Sequence, residues 1–126
     1  MTKQSVTQRN AAIDARNDLL NSGTVEIRTG AEPSIGTESG TVLATFTMGA
    51  SAFNAAVSGS ATAILPSDVT ASATGTAGHY VAKNNGGTIM RSGTAGTSGT
   101  DMILNTASIT SGDDVSMTAW TTSEPE

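Results

Sequence analysis

Leu19-Leu20-Asn21-Ser22-Gly23-Thr24-Val25-Glu26-Ile27-Arg28-Thr29-Gly30 is where the character of this chain changes. Leu19 and Leu20 close an apolar helical turn. Gly23 suits the left-handed residue that follows a helix end. Val25 and Ile27 then alternate with Thr24, Glu26 and Arg28, the period of a half-buried strand. Gly30 frees the backbone to turn. Everything before this stretch reads as one helix and everything after it as short strands, so the expected fold is mainly β with a single N-terminal α-helix.

Upstream, Val6, Ile13 and Leu20 recur every seven residues, and Ala12, Ala15 and Leu19 widen the stripe. Arg9, Asn10, Asp14, Arg16, Asn17 and Asp18 fill the other faces. The pattern predicts an amphipathic helix of about four turns over residues 6–20, capped by Ser5 or Thr7, behind a loose terminus at residues 1–5. Such a helix either packs on the domain's own sheet or serves as an arm that docks on a neighbouring subunit.

Downstream, residues 30–40 are a loop by their density of Gly, Pro and Ser. Residues 41–48 carry the strongest strand signal, with Val42, Ala44, Phe46 and Met48 on one face. Weaker strands fall at 52–57 and 60–65, the second stopped by Pro66. Residues 78–83 and 88–92 flank Asn84-Asn85-Gly86-Gly87. Asn-Gly is the preferred centre of a type I′ turn, so a hairpin is expected there. Gly93, Gly96 and Gly99 mark a long loop, or tight β turns with close backbone approach. Short strands follow at 101–104 and 107–109. A closing strand at 113–122 puts Val115, Met117 and Ala119 on one face and Trp120 on the other, and an acidic tail ends the chain. Eight or nine strands at intervals of about ten residues is the spacing of a sandwich or jelly roll. The expected organisation is a single domain, an N-terminal arm and helix at 1–22 followed by a jelly-roll-like β-sandwich of antiparallel strands at 23–126.

Thr (21), Ala (18), Ser (15) and Gly (14) make up more than half of the 126 residues. Against one Trp, one Tyr and two Phe, this predicts a thin core, because burial stabilises in proportion to apolar area. The net charge is −5, and the six basic residues are scattered. That excludes a nucleic-acid binder, which needs clustered Lys and Arg. There is no cysteine, hence no disulfide or thiolate chemistry. No secretory signal and no run long enough for a membrane helix is visible, so a soluble product of the cytoplasm is expected.

No constellation points to catalysis, a cofactor or a metal. His79 is the only histidine, and a metal site would need further His or Cys ligands. No Gly-x-Ser-x-Gly elbow accompanies it, so it reads as a structural strand residue. Asp113 and Asp114 are adjacent, and neighbours on a strand point to opposite faces. They read as turn residues after Gly112. Trp120 is either an outward-facing interface anchor or a core residue turned inward by a bulge.

A resemblance adds to this. Leu19-Leu20-x-x-Gly23-x-Val25-Glu26-Ile27-x-Thr29-Gly30-x-x-Pro33 resembles the opening of a group of small virion proteins of tailed bacteriophages. Gly40-Thr41-Val42-Leu43-Ala44-Thr45-Phe46-Thr47 is similar to the strand that follows in that group. Thr76-Ala77-Gly78-His79-Tyr80-Val81 is similar to its middle strand. Gly96-Thr97-Ser98-Gly99-Thr100-Asp101-Met102-Ile103-Leu104-Asn105 and Ser108-Ile109-Thr110-Ser111-Gly112 are similar to its late stretch. The motifs stand in the same order and span most of residues 19–122; before Leu19 the chain departs from the group.

The group resembles head decoration, or cement, proteins. The resemblance implies a non-enzymatic structural protein of the virion, made in the host cytoplasm and placed on the capsid surface. There it would bind the major capsid protein as a dimer or trimer, with no direct contact to nucleic acid or membrane. Val6, Ile13 and Leu20 on the helix, Trp120 and the tail are the candidate contacts. The alternative from another class is a tail-associated or carbohydrate-binding adhesin module.

Overall fold

The computed structural model describes residues 4–34 and 36–123. Residues 1–3 of the expected loose terminus and 124–126 of the acidic tail lie outside the described residues.

The chain starts with helix α1 (Val6–Asp18). Ser5 is its cap: the side-chain oxygen accepts from the Gln8 N–H at 3.1 Å. Thr7 lies within the helix. A turn follows, in which Gly23 N–H donates to the Leu20 carbonyl at 2.9 Å. The left-handed residue here is Ser22, with φ of 58°, and not Gly23 as the sequence suggested. Gly23 is required for another reason. A Cβ at this position would lie 2.1 Å from the Lys83 carbonyl oxygen, so only glycine lets the two backbones approach.

Ten strands follow among the described residues: β1 (Thr24–Thr29), β2 (Val42–Thr47), β3 (Ser60–Thr62), β4 (Val69–Thr70), β5 (Gly75–Lys83), β6 (Ile89–Gly96), β7 (Met102–Leu104), β8 (Ser108–Ile109), β9 (Asp114–Val115) and β10 (Met117–Ser123). Eight of them form a curled sheet in the order β2-β1-β5-β6-β7-β10-β3, with β8 paired to the start of β5. All these pairs are antiparallel except β6–β7. β4 and β9 form a separate two-stranded ribbon. The fold is mainly β with one N-terminal helix, as the periodicity indicated.

Helix and strands share one core. Ile13 and Leu20 from the helical segment, Val25 and Ile27 from β1, Phe46 from β2 and Met102 from β7 are all fully buried in it. Val115 of β9 brings the ribbon into the same cluster. At its centre the Trp120 ring meets Phe53 at 4.8 Å and Tyr80 at 5.1 Å, the latter edge to face. Three of the chain's four aromatic residues thus concentrate in one contact, where their large apolar area and ring geometry count most.

The β5–β6 hairpin forms, with a different turn. Positive φ falls on Gly87 (88°) and on neither Asn85 nor Gly86, which excludes type I′. Gly87 N–H closes the turn on the Asn84 carbonyl at 3.0 Å, followed by the left-handed glycine. The register shift at Ala82/Lys83 is the bulge that accompanies such a three-residue connection. Among the glycines after it, Gly93 and Gly96 lie within β6. A Cβ on Gly93 would sit 2.7 Å from the Tyr80 ring, so close approach, not loop flexibility, explains this glycine.

Candidate functional site

Helix α1 meets the rest of the molecule along a polar line. Asn10 Oδ1 accepts from Gly59 N–H at 2.9 Å, and Asp14 Oδ1 accepts from Ala56 N–H at 2.9 Å. Asn17 Nδ2 donates to Thr122 Oγ1 at 3.2 Å, while its Oδ1 accepts from Arg91 Nη2 at 3.0 Å. Asn21 Oδ1, beyond the helix end, accepts from Ala52 N–H at 2.8 Å. Residues 10, 14, 17 and 21 share one helical face by their spacing of four, three and four. The sequence reading sent Asn10, Asp14 and Asn17 to the outer faces. Asn10 and Asp14 instead bind backbone N–H groups of the 52–59 segment, as Asn21 does, while Asn17 joins the helix to Thr122 and Arg91.

The fold divides the four candidate contact residues. Val6 is exposed, while Ile13, Leu20 and Trp120 are buried inside the chain's own core. Trp120 turns inward because the β10–β7 register slips between Met117 and Ala119. The extra residue reverses the alternation, so Met117 and Trp120 are both buried and Ala119 is exposed. A partner therefore cannot reach three of the four without opening the core.

Other apolar side chains do reach the surface. Among the described residues, Val6 (46%), Leu19 (54%), Val57 (69%), Ile64 (43%) and Leu65 (48%) are the large hydrophobic residues with substantial exposure. The helix clamp links several of their segments. Val6 lies one turn before Asn10, which holds Gly59, two residues from Val57. Asn21 holds Ala52, whose carbonyl accepts from Ile64 N–H at 2.9 Å. Leu19 stands on the side of the helical turn away from the clamp. These exposed side chains are the candidate contacts. The run Ile64-Leu65 was legible only as the end of a weak strand.

A second region, over β1 and the end of β5, is polar and strapped. The loop between β1 and β2 is pinned at its ends, Thr29 N–H to the Thr41 carbonyl at 3.1 Å and Thr41 N–H to Thr29 Oγ1 at 2.9 Å. Its Glu38 carboxylate pairs with Lys83 and with Arg28, and Glu26 pairs with the same two cations. The Lys83 hydrogen bond and charge hold Glu38 below the ordinary carboxylate value, and the bond to Glu38 holds Lys83 above the ordinary lysine value. Glu32 accepts from Ser92 Oγ at 2.8 Å.

Beneath this strap His79 is fully buried, its Nδ1 3.0 Å from the Gly30 carbonyl. A carbonyl only accepts, so Nδ1 is the donor and the ring is fixed as a structural element. Asp113 Oδ2 accepts from Thr110 N–H at 2.9 Å, a turn role. Among the described residues no three His, Cys, Asp or Glu side chains come together around one point, and no pocket opens.

No protein-family model matches the chain, and neither a curated protein nor a solved structure does so.

Proposed function

We propose that this chain is a capsid decoration, or cement, protein of a tailed bacteriophage. It binds the outer surface of the major capsid lattice and stabilises the head by bridging neighbouring capsid subunits. The observation that carries the reading is the ordered run of motifs from Leu19 to Gly112. These motifs fall on β1, β2, β5, β7 and β8, of which β2, β1, β5 and β8 are directly linked in the sheet. On this reading the β4–β9 ribbon and the curled sheet are parts of a jelly-roll-like sandwich, and copies associate as dimers or trimers on the shell.

Adhesion needs no reacting group. It needs apolar area that is bare before assembly and covered after it, and the exposed side chains of Val6, Leu19, Val57, Ile64 and Leu65 offer this. Many weak contacts of one kind add across a lattice through effective concentration. The adhesin alternative is disfavoured by the aromatics. Phe46, Phe53, Tyr80 and Trp120 are all buried, which leaves no aromatic platform at the surface for a sugar ring.

The test is copy number in purified particles, by gel densitometry against the major capsid protein or by a cryo-electron-microscopy map. A simple ratio to the capsid subunit, with density over the shell, is the expected result. A few copies at the tail would overturn it in favour of the adhesin. Deleting residues 1–18 is a poor test of contact, because it removes Ile13 from the core together with the Asn10, Asp14 and Asn17 clamps.

A further inference from the structure

We propose that Asn85 is a site of spontaneous deamidation, exposed at the tip of the β5–β6 hairpin. The proposal does not depend on the function proposed above.

The chain has seven asparagines, and Asn85 alone precedes a glycine. The others are held by their side chains: Asn10, Asn17 and Asn21 in the helix clamp, Asn54 to Thr62 Oγ1, Asn84 to the turn backbone, and Asn105 to Ser116 N–H and the Asp114 carbonyl. The Asn85 side chain is exposed and makes no hydrogen bond. It is therefore free to rotate toward the next peptide nitrogen, and Gly86 has no Cβ to shield that nitrogen or to restrict its approach.

The reaction balances with water alone. The Gly86 amide loses its proton to hydroxide, and its nitrogen attacks Asn85 Cγ. The Cγ–Nδ2 bond breaks and ammonia leaves, taking a proton back from solvent. The five-membered succinimide then adds water at either carbonyl. Opening at one side gives aspartate, and opening at the other gives isoaspartate, with the backbone routed through the β-carbon. No electrons are exchanged with any other group. The product adds one negative charge to the turn, and as isoaspartate it lengthens the connection between two central strands.

The structure also supplies a brake. Gly86 N–H donates to Asn84 Oδ1 at 2.9 Å, and Thr88 N–H donates to the same oxygen at 2.9 Å. Attack requires the first of these bonds to open, so Asn84 holds back the nucleophile that its neighbour needs. Gly86 itself can be replaced without strain: its φ is not positive, and a Cβ there would meet only Asn84 Oδ1 at 3.4 Å.

The experiment ages the full chain in mildly alkaline buffer and digests it with trypsin under mild conditions. Cleavage after Lys83 and Arg91 releases residues 84–91 as one peptide. This peptide is expected to gain the mass of an NH-to-O exchange ahead of every other asparagine-containing peptide. Fragmentation should place the change at Asn85, with isoaspartate present. Gly86→Ala should slow it on the order of tenfold by restricting the attacking nitrogen, and Asn84→Ala should speed it. The proposal is overturned if Asn85 stays intact through the ageing, if another asparagine reacts first, or if Gly86→Ala reacts as fast as the parent chain.

Discussion

Arg91 holds its guanidinium carbon 5.5 Å from the centre of the Trp120 ring, and equally 5.5 Å from that of Phe53. No carboxylate is paired with it among the described residues. Its Nη2 donates to Asn17 Oδ1 at 3.0 Å, and its Nη1 is buried without a partner. Burial pulls its pKa below the ordinary arginine value. The two rings and the Asn17 amide therefore act in place of a counter-ion and tie β6 to α1 and to the aromatic centre. Arg91→Ala removes the cation–π contacts and one charge-assisted bond, with an expected cost of about 2 kcal/mol. Arg91→Met, which keeps the apolar stem without burying a charge, should cost less. Urea unfolding of the two variants measures both; equal losses would show that the apolar stem contributes nothing.

The helix clamp makes a sharper distinction between neighbours on one helix. Asp14→Ala strips the acceptor from Ala56 N–H in a part-buried position, which costs about 1–3 kcal/mol. Asp18→Ala, on the exposed side of the same helix, should stay within about 0.5 kcal/mol of the parent. If the two shift the thermal midpoint alike, the clamp is not stabilising the 52–59 segment.

That contrast also shows what the sequence could and could not reveal. The Ser5 cap, the break after Leu20, the β1 alternation and the hairpin were legible because each is decided by a few adjacent residues. The face of Trp120 was not, because one bulge between Met117 and Ala119 inverts a period of two, and nothing in Met117-Thr118-Ala119-Trp120 announces it. The role of Asn10, Asp14 and Asn17 was hidden for another reason: polar residues at helical spacing read as a solvated face unless the segment they bind is known. For the candidate site, Val6 was legible from the helical stripe. Val57 and Leu65 became contact candidates only once the structure showed them exposed.

The strap over His79 should respond to acid and to base. Glu38 is held below its ordinary value of 4.5, so its pairing is fully present above that value and is lost as pH falls through the lower folded one. Lys83 is held above 10.5, so its part is present below 10.5 and is lost as pH rises through the higher folded value. Amide protection at Arg28 and Lys83, taken relative to the intrinsic exchange rate at each pH, should be greatest between these limits and fall outside them. Lys83→Met should flatten the acid limb, and an unchanged acid limb in that variant would rule out the Glu38–Lys83 pairing as what holds the strap.

Tyr80 supplies a separate alkaline signal. Desolvation raises it to about 12, against the opposing effect of a hydrogen bond with Trp120 and the charge of Arg91. The folded state therefore holds a proton that the unfolded chain releases near 10, and stability falls as pH rises past 10 toward 12. Tyrosinate absorbance should appear late, near the folded value or together with unfolding. A transition near 10 in the folded protein would mean that the ring is solvated.

The exposed apolar side chains give the most direct link from structure to assembly. Val57 and Leu65 are already exposed, so Val57→Glu and Leu65→Glu should leave stability within about 0.5 kcal/mol of the parent. If these side chains make the capsid contact, each change removes the burial of one of them, about 1.5 kcal/mol or more, and each should weaken binding to undecorated shells about tenfold. Thr45→Glu, on the exposed face of β2 at the other end of the sheet path, serves as the control and should bind as the parent does. Co-sedimentation with shells reads the three variants side by side, with circular dichroism to confirm that each is folded. Full binding by the Val57 and Leu65 variants, with loss in the Thr45 variant, would move the contact from these side chains to the β2 edge.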